Sequence, residues 1–121
     1  MTHDFIGTHI ISQFYDIQEN LSCDAVPELI AAVRESCSRN GISVMKADSC
    51  IFENGGYTVF LLLKESHLSI HTYVEYKSAF IDIFSCGNAD TMNVLNDIKA
   101  FYYPKRVEIK SIRRGEGFHA Q

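Results

Sequence analysis

The amino-acid sequence predicts an α+β fold, a two-layer sandwich with two helices packed on one face of a mostly antiparallel sheet. Three observations carry that reading. Six stretches alternate in polarity or are rich in β-branched and aromatic residues, two repeat apolar residues at helical spacing, and the turns are short between mostly sequential strands. The predicted order is β, α, β, β, β, β, α, β.

Each element has its own signal. Residues 7–17 (GTHIISQFYDI) read as the first strand. Ser22, Cys23 and Asp24 are cap candidates ahead of Pro27, which a first helical turn tolerates because its missing N–H would be unpaired there. In the helix that follows, Val26, Leu29, Ile30, Val33 and Cys37 recur at steps of three and four, and Asn40-Gly41 ends the pattern. From Ile42 the period changes: Ile42, Val44 and Ala47 lead toward Phe52, Asn54-Gly55-Gly56 turns the chain, and Tyr57 to Leu63 completes a hairpin. Residues 67–73 (HLSIHTY) and 78–85 (SAFIDIFS) are two more alternating strands. Met92, Leu95, Ile98 and Ala100 mark a second helix within 88–102, and residues 106–112 form the closing strand. The segment from Arg113 to Gly117 is expected to be a mobile tail.

A chain of 121 residues is shorter than a typical domain of roughly 150, so one domain spanning residues 1–121 is expected. Its 46% hydrophobic and 21% charged residues argue against disorder, collagen-like repeats and coiled coils. Fifteen acids against eleven bases leave a net charge of -4, whereas a phosphate backbone rewards clustered excess cation, so no nucleic-acid partner is expected. The longest apolar run, Tyr57 to Leu63, is strand-sized, and Met1-Thr2-His3-Asp4 does not open like a secretion signal. No membrane association and a cytoplasmic location are therefore expected. The four cysteines, Cys23, Cys37, Cys50 and Cys86, form no CxxC pair, which suits reduced thiols better than disulfides or a metal site.

The segment from Lys64 to Thr72 (KESHLSIHT) places ionisable and hydroxyl residues inside the most apolar part of the chain. Spacing alone leaves two readings open: a polar turn at Glu65-Ser66 with His71 facing solvent, or a reactive centre.

Residues 65–72, ESHLSIHT, resemble the ESHLTIHT signature of the short prokaryotic S-adenosylmethionine decarboxylases. The likeness extends to Ile81-Asp82-Ile83-Phe84-Ser85-Cys86-Gly87, which is similar to the family's IDxFTCG motif. It also reaches Gly7 to Tyr15, which resembles the GRHLIAEFY opening. The resemblance implies a self-made pyruvoyl cofactor in an enzyme of polyamine biosynthesis. Ser66 would attack the carbonyl of Glu65 to give an ester, and elimination and hydrolysis would leave a pyruvoyl group. The cut between Glu65 and Ser66 would produce a β chain, 1–65, and an α chain, 66–121. A tight turn there would bring the hydroxyl near the carbonyl through backbone strain.

By the same resemblance, His71 abstracts the proton that drives ester elimination, a role suited to imidazole near neutral pH. His67, of opposite strand parity to Ser66, is assigned structural work. The pyruvoyl ketone would form a Schiff base with the substrate's α-amine, and Cys86 would return a proton to the α-carbon after carbon dioxide leaves. Glu75 matches the acid that contacts ribose hydroxyls, and Phe52 and Tyr73 match positions lining an adenine slot. Cys23, Cys37 and Cys50 match no motif and are expected in the core.

The chain departs from the family around the substrate slot. The usual PxGVSG has become Asn54-Gly55-Gly56-Tyr57-Thr58-Val59, with Thr58 where a processing serine stands, and WPE has become Tyr73-Val74-Glu75 followed by Lys77-Ser78. Alternatives therefore accompany S-adenosylmethionine: L-arginine or L-ornithine decarboxylation by the same pyruvoyl chemistry, or an unprocessed, non-catalytic relative that regulates a genuine decarboxylase. Lys77 would oppose a cationic side chain if it pointed inward. Apolar residues on both parities, Phe60 and Leu62 against Leu61 and Leu63, imply a homodimer of processed αβ protomers.

Overall fold

The computed structural model describes residues 6–87 and 89–120. Its strands are β1 (Gly7–Ile17), β2 (Val44–Ile51), β3 (Tyr57–Leu63), β4 (Ser66–Tyr73), β5 (Ser78–Cys86) and β6 (Pro104–Arg114), and its helices are α1 (Val26–Arg39) and α2 (Thr91–Tyr102). Short 3-10 turns cover Cys23–Ala25, Val74–Tyr76 and Glu116–Ala120. The strands form one sheet in the order β2-β3-β4-β5-β1-β6. Every neighbouring pair is antiparallel.

The two-residue period of the strands decides where the core lies. Ile10 and Phe14 of β1, Val59, Leu61 and Leu63 of β3, Leu68 and Ile70 of β4, and Ile81 and Ile83 of β5 are buried. They join Val26, Leu29, Val33 and Cys37 of α1 and Val94, Leu95, Ile98 and Tyr102 of α2 in one cluster. Each fully buried Leu or Ile contributes about 1.5–3 kcal/mol relative to an exposed one, so this face holds the two layers together. Burial pushes the Cys37 thiol up to about 11. Cys50, expected in the core, is instead exposed on β2, an edge strand of the sheet.

The helix boundaries shift for local reasons. Ser22 caps the 3-10 turn that leads into α1, its Oγ accepting from the Asp24 N–H at 3.2 Å, while Ala25 precedes α1 without a side-chain cap. At the other end of α1, Gly41 takes the left-handed conformation (φ +80°) and Asn40 does not (φ -107°). In α2, Asp90 caps through its bond from the Asn93 N–H, and the buried face is Thr91, Val94, Leu95, Ile98 and Tyr102. Met92 and Ala100, expected on that face, are exposed. The expected mobile tail is also corrected: Arg113 and Arg114 belong to β6 and pair with Thr8 and Gly7, because the eleven-residue β1 offers backbone partners along its whole length.

Inside the core, the Tyr57 and Tyr102 hydroxyls lie 2.7 Å apart, and Tyr57 donates to the Asn20 carbonyl at 3.1 Å. Tyr102 must therefore be the donor to Tyr57. Burial pushes both phenols above their ordinary range. Tyr57→Phe leaves the Tyr102 hydroxyl without that acceptor, so urea unfolding should show a loss of about 1–3 kcal/mol. An unchanged midpoint would mean that the pair adds nothing.

Candidate active site

The β3–β4 connection consists of Lys64 and Glu65, with Leu63 directly opposite Ser66. Glu65 adopts φ +63°, a left-handed conformation that costs a non-glycine residue on the order of 1 kcal/mol. The end of β5 lies beside it. The Cys86 N–H donates to Ser66 Oγ at 3.1 Å, and Cys86 Sγ is 3.3 Å from the Glu65 carbonyl oxygen, within reach of donating to it. On the far side, β1 approaches so closely that a Cβ on Gly7 would stand 2.5 Å from the Ser85 carbonyl oxygen. Only glycine fits that contact beside Cys86.

A second group of residues meets at the opposite end of β4. Thr58 pairs with His71 across β3 and β4, and Thr58 Oγ1 is 2.9 Å from His71 Nδ1. Both line an open cleft of about 680 Å³ together with Phe52, Tyr73 and Glu75. Tyr73 packs at 5.0 Å against Phe80 of β5. Glu75 belongs to the 3-10 turn Val74–Tyr76, whose end is capped by Lys77 in a left-handed conformation (φ +50°). The Lys77 carbonyl accepts the Ile17 N–H at 2.8 Å, and the residue is not among those lining the cleft. Among the described residues, Glu53 and Glu75 are the charged groups on that lining, so the cleft favours cations.

The structure thus divides the residues singled out in the sequence into two sets. Glu65, Ser66 and Cys86 are together at one end of β4, and Phe52, Thr58, His71, Tyr73 and Glu75 are together at the other. Ser66 and His71 share one extended strand, and five steps of about 3.3 Å place them about 16 Å apart. His67 lies in neither set. It stacks on Phe60 with rings 11° from parallel and packs against His9 and Phe84 on the face of the sheet away from the helices. Burial lowers the His9 pKa, against the opposing pull of Asp82.

Three cleft residues escaped the sequence reading: Glu53, Asn54 and Thr72. Glu53 and Asn54 sit in the β2–β3 turn, where Asn54 was legible as a turn former but its side-chain partner was not. That partner is Glu75: Asn54 Nδ2 donates to Glu75 Oε1 at 3.0 Å.

Residues 8–115 match the family model for S-adenosylmethionine decarboxylase. The chain belongs to that family. It is 34% identical over 118 residues to S-adenosylmethionine decarboxylase proenzyme 2 of Bacillus cereus, covering 97% of this chain and 95% of the relative. It is 30% identical over 112 residues to the S-adenosylmethionine decarboxylase proenzyme of Thermosipho melanesiensis, covering 92% and 85%. In fold it is similar to the crystal structure of the adenosylmethionine decarboxylase from Aquifex aeolicus, with a TM-score of 0.77 at 24% identity over 92% of both chains. Family membership agrees with the two-layer α+β architecture. Among the described residues, no helix is long and apolar enough to cross a membrane.

Proposed function

We propose that this chain is a self-processing, pyruvoyl-dependent decarboxylase acting on S-adenosylmethionine for polyamine biosynthesis, with each active site built from two copies of the chain. One observation carries the reading: Cys86 contacts both sides of the Glu65–Ser66 peptide, at a turn whose first partner, Glu65, is held in a strained conformation. These contacts fit a residue that converts itself into a pyruvoyl group, and the family implies the same chemistry.

Maturation follows from those contacts. Ser66 Oγ adds to the Glu65 carbonyl carbon while the Cys86 S–H stabilises the developing oxyanion, and breaking the C–N bond leaves an ester and a free amine. A histidine base then removes the proton from Cα of residue 66. The ester C–O bond breaks, Glu65 departs as a carboxylate, and the dehydro residue rearranges to an imine that water converts to a ketone with release of ammonia. The domain is thereby divided into chains 1–65 and 66–121. In turnover the pyruvoyl group supplies the electron sink for decarboxylation. Cys86 is the acid that returns a proton to the substrate carbon, and Glu75, Phe52 and Tyr73 bind the nucleoside through its hydroxyls and ring.

His71, the base that the family implies, does not reach Ser66 of its own chain. His71 is about 16 Å along the same strand, too far for proton transfer within one copy. A second copy packed on the sheet's open face with its β4 running in the opposite direction would bring its Thr58–His71 end toward the first copy's Ser66–Cys86 end. That face supports the assembly because Phe60, Leu62 and Phe80 remain 42%, 47% and 38% exposed on it.

Three experiments test these steps. Mass spectrometry of the purified protein should show two fragments, the second with a blocked N-terminus, and Ser66→Ala should give one full-length mass. Fragments from that variant would place the scissile bond elsewhere. Co-expression tests the shared site. A His71→Ala chain should remain whole when alone, yet be cut when paired with a Ser66→Ala chain that lends its histidine, and a His71→Ala chain that stays whole in the mixture would rule out sharing. Finally, carbon dioxide release should favour S-adenosylmethionine over L-arginine and L-ornithine, and Glu75→Gln should weaken its use by about 1.5–3 kcal/mol without blocking self-cleavage. Preference for a free basic amino acid would overturn the substrate assignment and leave the pyruvoyl mechanism standing.

A further inference from the structure

We propose that Asn54 is a positioning residue that aims the Glu75 carboxylate at the substrate's ribose hydroxyls, an inference that rests on Glu75 binding that diol. Asn54 lies in the turn between β2 and β3, and Glu75 lies in the turn between β4 and β5. Both ends of the Asn54 amide are engaged. Its Oδ1 accepts the Gly56 N–H at 2.9 Å, which fixes the way the amide faces, and its Nδ2 then points at Glu75 Oε1, 3.0 Å away. The Asn54 bond is therefore a tie between two loops that both line the same cleft.

The chemistry of the donor suits the task. Glu75 is exposed, and an exposed glutamate without a fixed partner samples many rotamers and must be ordered when ligand binds. The amide holds one oxygen, leaving Oε2 and the remaining lone pair of Oε1 to accept from two neighbouring hydroxyls. A lysine or arginine at position 54 would also orient the carboxylate, but it would cancel the charge and repel a sulfonium substrate. An uncharged donor fixes the geometry and leaves the negative charge in place.

Asn54→Asp separates this role from turn formation, because aspartate keeps the acceptor for the Gly56 N–H and replaces only the donor, with a carboxylate oxygen that repels Glu75. Asn54→Ser, whose hydroxyl serves the turn but falls short of Glu75, is the second variant. Steady-state kinetics on processed protein should show KM for S-adenosylmethionine raised about three- to tenfold in either variant, with kcat changed less than about twofold and self-cleavage retained. Added to Glu75→Ala, which removes the acceptor, the Asn54→Ser change should raise KM no further, since the contact it removes serves Glu75 alone. Unchanged KM in both Asn54 variants, or full additivity with Glu75→Ala, would overturn the positioning role while the reading of Glu75 survives. An unchanged KM in Glu75→Gln itself would remove the diol reading and this inference with it.

Discussion

The antiparallel register of β3, β4 and β5 is the constraint on which the rest of the molecule depends. Side chains alternate with period two, so a slip of one residue in β4 would send Leu68 and Ile70 to the open face and draw His67 and His71 into the core. The observed pairing, Leu61 with Leu68 and Leu68 with Ile83, keeps the aliphatic layer under the helices. The same register sets Thr58 opposite His71 and brings the end of β5 to the Glu65–Ser66 turn. Packing of the core thus fixes where these side chains stand along the strands.

That register also explains the open face. With the apolar parity of β3 to β5 committed to the helices, the opposite parity would be polar in an ordinary half-solvated sheet. Here it carries Phe60, Leu62, Phe80 and Phe84, with His67 stacked among them. A solvated face gains nothing from such residues, whereas a face buried against a second copy does. Two independent features, the apolar composition and the separation of Ser66 from His71 along one rigid strand, therefore favour the same assembly.

Most of this architecture was legible in the sequence because it rests on strong periodic signals. The alternation in 67–73 and 78–85 and the three- and four-residue steps from Val26 to Cys37 correspond to β4, β5 and α1. The errors fall where the signal is carried by polar or amphipathic residues. Tyr102 and Thr91 hid the true face of α2, and the charged run Arg113-Arg114 masked strand residues whose pairing comes from the backbone of β1. At the site, motif resemblance singled out the residues and the structure gathered them into two sets. Their division between the two ends of β4 could not be read from spacing without the extended geometry that turns five residues into about 16 Å. Nor could the Asn54–Glu75 bond, which joins turns 21 residues apart in sequence.

Self-cleavage in a single-core protein raises the question of why the two pieces would stay together. The strand order supplies the physical answer. Chain 1–65 would contain β1, β2 and β3, chain 66–121 would contain β4, β5 and β6, and the sheet runs β2-β3-β4-β5-β1-β6. The first chain's β1 is inserted between the second chain's β5 and β6, and its β3 pairs with β4 along the cut. Three of the five strand pairings thus cross between the pieces, as does the packing of α1 on α2 through the shared core. Cutting the Glu65–Ser66 bond would release the left-handed strain at Glu65 without exposing any of that core. The topology therefore permits a backbone break at the Glu65–Ser66 bond, and it leaves the start of β4 held by the ladders on either side.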